Sequence, residues 1–159
     1  VIHLNWRLYD DNDQIYFEDK PVLERFTRQA PLNVVYNDEE KTITENCFIK
    51  SFFHIPNKRF VIAPHTVYVE NGICKRSDGS MSDCRLSAEP LSNDVNYVKH
   101  FNCKSLEEYI DRRCIYTLNI CDLTNGVSAD KRIRWYFNEN KKTSEKVAYA
   151  QQRLGINIA

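Results

Sequence analysis

Six cysteines in 159 residues constrain this chain more than any other feature, and five of them fall between Cys74 and Cys121. A chain of this length buries a full core without metals or disulfides. Six cysteines therefore exceed what folding requires. They read as three disulfides in an oxidising compartment and as metal ligands or buried thiols in a reducing one. The expected set is Cys47, Cys74, Cys84, Cys103, Cys114 and Cys121. Three bridges from six cysteines allow fifteen connectivities. Cys74 and Cys84 flank the polar loop KRSDGSMSD beside the Asn71-Gly72 turn, which makes that bridge the first to expect.

Hydrophobic periodicity predicts a mainly β, α+β chain: one antiparallel-sheet domain over residues 1–159 with two short helices, stabilised by disulfides. Ile2, Leu4, Trp6 and Leu8 alternate with His3, Asn5, Arg7 and Tyr9, the pattern of a half-buried strand, with Leu4, Trp6 and Leu8 expected in the core. Asp10 to Asp13 reads as a turn and Gln14 to Glu18 as the return strand of a hairpin. Further strands are expected over 32–36, 42–55, 59–63, 66–70, 95–103, 115–121 and 132–138. In the last of these Ile133, Trp135 and Phe137 share the inward face. Ser105 and Glu108 have capping-box spacing ahead of a helix with Leu106, Tyr109, Ile110 and Cys114 on one face. Thr143 or Ser144 opens a final helix that Gly155 ends.

The charges balance, 22 Lys+Arg against 22 Asp+Glu. That argues against a nucleic-acid footprint, which makes a domain basic. Lys131, Arg132, Arg134, Lys141, Lys142 and Lys146 surround Trp135, Tyr136 and Phe137, a combination that can bind single strands by charge and stacking. Placed on an alternating strand, the aromatics face the core instead. No phosphate loop, Gly-x-Ser-x-Gly elbow, HExxH or EF-hand loop occurs. Asp78, Ser80 and Asp83 lack calcium-loop spacing and read as a solvated turn. Cys74, Cys84, His100 and Cys103 form a zinc alternative without C-x2-C spacing. A Cys–His enzyme would draw its base from His3, His54, His65 or His100, and no signature selects one. No catalytic, cofactor or metal residue is assigned.

No apolar run is long enough to span a bilayer. The sequence opens on Val1, and a signal peptide or N-terminal membrane anchor ahead of it is expected, with simple truncation the alternative. No Asn-x-Ser/Thr sequon occurs.

The opening HLNWRLYDDNDQIYFEDKPV and the run ENCFIKSFFHIPNKRFVIAP, followed by the cysteines, resemble the ectodomains of small baculovirus occlusion-derived-virus envelope proteins, the per os infectivity factors. The resemblance implies a non-enzymatic subunit of a virion entry complex, anchored in the envelope by its N-terminus. It carries over no functional residues. The resulting expectation is a disulfide-stabilised ectodomain on a virion or cell surface that acts through contacts with other envelope or surface proteins. Its interaction candidates are Lys75 and Arg76 in the polar loop and Arg132 and Arg134 on the basic strand. A small enzyme, or an intracellular zinc or nucleic-acid module, is the alternative.

Overall fold

The first strand, β1 (Ile2–Leu8), organises a four-stranded mixed sheet. In this computed structural model the described residues are 1–30, 35–38, 41–44, 48–52, 59–63, 66–69, 72–81, 96–116 and 128–158. Two hairpins pair within themselves: β2 (Val35–Asp38) with β3 (Lys41–Thr44), and β5 (Arg59–Ala63) with β6 (Thr66–Val69). β4 (Ile49–Phe52) runs antiparallel to β1 from Ile2 to Asn5. Two short strands run parallel to β1: β7 (Lys75–Arg76) beside Ile2–His3 and β8 (Val98–His100) beside Trp6–Leu8. The expected hairpin partner of β1, Gln14 to Glu18, is not a strand.

The chain forms two compact units interleaved in sequence: Val1–Leu8 with Pro31–His100, and Tyr9–Ala30 with Phe101–Ala159. The first holds the sheet. The second is helical, with α1 (Val22–Arg25), α2 (Leu106–Tyr109, continued by a π-helix over Ile110–Tyr116), α3 (Ala129–Glu139) and α4 (Ser144–Leu154).

These helices correct the expected mainly β, antiparallel class: helix outweighs strand among the described residues and the sheet is mixed. Two segments carry the error. Residues 132–138, expected as a strand, lie within α3. Ser128 caps it by accepting from the Lys131 N–H at 3.2 Å, and Ile133 and Tyr136 point inward at helical spacing. Ile133, Trp135 and Phe137 alternate, but Ile133, Tyr136 and Phe137 also fit i, i+3, i+4, and the cap favours the second pattern. Ile115 and Tyr116, expected to open a strand, belong to the π-helix.

The disulfide expectation is also corrected. Cys103 and Cys114 are buried thiols of the helical core that take part in no disulfide, and no disulfide joins two described cysteines. Cys74 is buried and disulfide-bonded to a partner outside the described residues. Cys47, Cys84 and Cys121, and with them the expected Cys74–Cys84 bridge, also lie outside them.

The helical core gathers Ile15, Leu106, Ile110, Ile133, Tyr136 and Ala150 with the two thiols. Gln14 to Phe17 runs across the start of α2. Carbonyls of Gln14 and Ile15 accept from Leu106 and Glu107 N–H at 3.1 and 2.9 Å, while Ser105 and Glu108 close the capping box. Donors that a helix N-terminus leaves unpaired are thereby satisfied. Gly155, at φ 65°, ends α4 as expected.

Candidate functional site

Residues that face each other in a β-ladder project from the same side of the sheet, and neighbours along a strand project from opposite sides. The pairing registers therefore align Phe52, Ile2, Lys75 and Met81 in one row across four segments. The Val1 amino group donates to the Ile73 carbonyl and the Lys75 N–H to the Val1 carbonyl, each at 2.9 Å, which adds Ile73 to the same side. Every member is open to solvent: Phe52 is 57% exposed, Ile2 53%, Ile73 62% and Met81 66%, with Lys75 exposed among them.

The opposite side is buried. His3, Asn5 and Arg7 are covered, together with Ile49 and Cys74. The amphipathic strand is thus inverted at its start, with apolar Ile2 outside and polar His3 inside. The expected register, with Leu4, Trp6 and Leu8 inward, holds for Trp6 and Leu8; Leu4 is half-buried. At that end of β1 the Trp6 ring stacks on His100 with centroids 3.6 Å apart, and the Lys50 ammonium lies 5.5 Å from the Trp6 ring centre.

Lys75, expected as an interaction residue, occupies the middle of the exposed row, and no described residue forms an ion pair with it. Arg76 points to the other side and is half-buried; its N–H donates to the Ser80 carbonyl at 2.9 Å. Arg134 is exposed on α3 and paired with Asp130 at 3.0 Å. Arg132, expected to face solvent from a strand, is buried on the inward side of α3. The remaining basic residues do not form one stripe. Lys131 covers Trp135 at 5.7 Å and Lys142 covers Phe137 at 5.9 Å, while Lys146 is fully buried.

Lys146 belongs to a cluster that sequence reading missed. Its ammonium donates to the buried Asp11 carboxylate at 2.5 Å and to the Lys141 carbonyl at 3.2 Å. The Tyr136 hydroxyl also donates to Asp11, and the Asp11 N–H donates to Asn140 at 2.8 Å. Burial and the Asp11 charge push the Tyr136 phenol far above its ordinary range. The turn around Asp11 closes on itself, with Asn12 and Asp13 N–H donating to Asp10 and Asp11 and Arg28 bridging Asp10 and Asp13. Every group here has a partner within the cluster, so its chemistry is that of a structural clasp. Lys146 sits one turn before Ala150 on the inward side of α4, and that spacing was the available signal.

One open cleft of about 720 Å³ lies in the helical unit, lined by Phe17, Cys103, Lys104, Glu107, Asp111 and Arg112 among others. Its carboxylates are engaged: Glu107 accepts from the Phe17 N–H at 2.7 Å, and Asp111 from Arg153 at 2.5 Å. Burial and the neighbouring Arg113 lower the Arg112 pKa, and its guanidinium donates to the Asn102 carbonyl at 2.6 Å. The Cys103 thiol is buried and donates to Glu139 at 2.9 Å.

The zinc alternative is not assembled among the described residues, where no group of three or more metal-ligating side chains occurs. Cys84, His54 and His65 lie outside them. No described helix is long and apolar enough to cross a membrane. No protein-family model matches the chain, and neither a curated protein nor a solved structure matches it significantly.

Proposed function

We propose that this chain is a non-enzymatic subunit of a surface assembly, on a virion envelope or a cell, that works through contact with other envelope or surface proteins. The exposed row of Phe52, Ile2 and Met81 with Ile73 carries the reading. Large apolar side chains gathered in water on one side of a sheet mark an interaction surface. The resemblance to small envelope ectodomains supplies the kind of assembly. The titratable groups gathered in the helical unit support the same reading, because the Asp11–Lys146 clasp and the Arg25–Glu108 pair are each closed within the fold. Cys103 lies at the cleft with its thiol held on Glu139 and not presented to a substrate.

Co-purification from the native membrane or virion in mild detergent tests this function. Wild-type protein is expected in a complex of defined stoichiometry. Phe52→Asp is expected to release it while leaving its melting temperature unchanged. Recovery of the wild type as a solitary monomer at native abundance would refute the reading.

A further inference from the structure

We infer that the partner seated on this row is a different protein that brings an apolar surface and a carboxylate opposite Lys75. The inference rests on the proposed function and specifies its partner.

Charge selects the occupant. The described strand positions on this side of the sheet hold two lysines, Lys50 and Lys75, and no carboxylate. Lys50 is engaged with the Trp6 ring. Lys75 lies between Ile2 and Met81 with no ion-pair partner among the described residues. A partner that covers Ile2 and Met81 also takes the Lys75 ammonium out of water. An unpaired charge at the centre of an interface is costly, so a complementary carboxylate is required there.

The same position disfavours a second copy of this chain. An isologous dimer places the same patch on both sides of a two-fold axis. Centred on this row, it would bring Lys75 against its own copy. A bilayer fits less well too. Interfacial binding sinks apolar side chains about 5–10 Å into the headgroup region. A row lying flat in a sheet matches another flat surface, as when two sheets pack about 10 Å apart.

The test uses full-length protein in its native assembly and the variants Lys75→Glu and Lys75→Arg. Lys75→Glu is expected to reduce co-purified partner by about tenfold or more, and Lys75→Arg to retain it, since only the first reverses the charge. In vitro, short labelled peptides alternating isoleucine with glutamate or with lysine serve as probes. The glutamate peptide is expected to bind about tenfold more tightly, and Lys75→Glu to reverse the order. Equal binding of the two peptides, or of neither, overturns the inference. So does sedimentation of the protein with phosphatidylserine vesicles in place of peptide binding, or a concentration-dependent dimer abolished by Phe52→Asp. Loss of the native complex in Phe52→Asp but not in Lys75→Glu would overturn the carboxylate partner and leave the proposed function standing.

Discussion

Ile2 and Phe52 face each other across the β1–β4 ladder with both side chains more than half exposed, while the next pair, His3 and Ser51, turns a fully buried imidazole into the fold. One register step separates an apolar outside from a polar inside. Substitution should expose the inversion. Ile2→Ser and Phe52→Ser are expected to shift folding stability by no more than about 0.5 kcal/mol, as exposed positions do. Ile49→Ala, on the covered side, is expected to cost about 2–5 kcal/mol. Urea denaturation of the three variants gives the comparison, and equal losses would contradict the assigned faces.

The Asp11–Lys146 pair predicts a strong asymmetry. Both side chains are buried, so Lys146→Met strands the Asp11 carboxylate and is expected to cost about 3–5 kcal/mol. Tyr136→Phe removes one hydrogen bond to a charged acceptor and is expected to cost about 1.5–3 kcal/mol. The double variant Asp11→Leu/Lys146→Met is expected to recover part of the loss. A double-mutant cycle with no coupling would mean that the clasp is not formed.

Acid should loosen the helical unit through Glu108. Burial raises its carboxyl, but hydrogen bonds from Arg25 and Ser105 outweigh burial, and the group ends below its ordinary value of 4.5. A carboxyl depressed in the folded chain takes up its proton more readily when unfolded. Its contribution is therefore present above pH 4.5 and is lost as pH falls through the folded value. Melting temperatures of wild type and Glu108→Gln should differ at neutral pH and converge in acid. A difference independent of pH would contradict this assignment.

Cys103 and Cys114 should behave as shielded thiols. Burial pushes the Cys114 thiol up to about 11, which leaves almost no thiolate at neutral pH. Neither residue is expected to react with iodoacetamide in the native protein. Both should react after denaturation without reductant. Failure of either to label in denaturant would place it in a bridge.

The parts of this molecule legible in its sequence are those fixed by local chemistry. The capping box at Ser105, the Asx turn from Asp10 to Asp13 and the Gly155 cap each depend on residues within one turn. The β5 bounds, Arg59–Ala63, follow from a short β-branched run. Residues 132–138 misled because aromatic side chains satisfy both periods at once, and the Ser128 cap that decides between them precedes the segment. The inverted β1 could not be read at all. Alternation reports that a strand has two faces, but which face is covered depends on β4 and β7, residues distant in sequence. The loop position of Lys75 is legible in the sequence, while its place in the row depends on pairing with Ile2.

Met81 offers the most direct measurement, because it is the only methionine in the chain and lies at the end of the exposed row. Oxidation to the sulfoxide follows exposure of the thioether. The rate of Met81 oxidation by dilute peroxide, read by mass spectrometry, should be fast in the isolated protein and about tenfold slower or more in the native assembly, where a partner covers the row. Equal rates in the two states would show that the row stays open to water and would contradict the account.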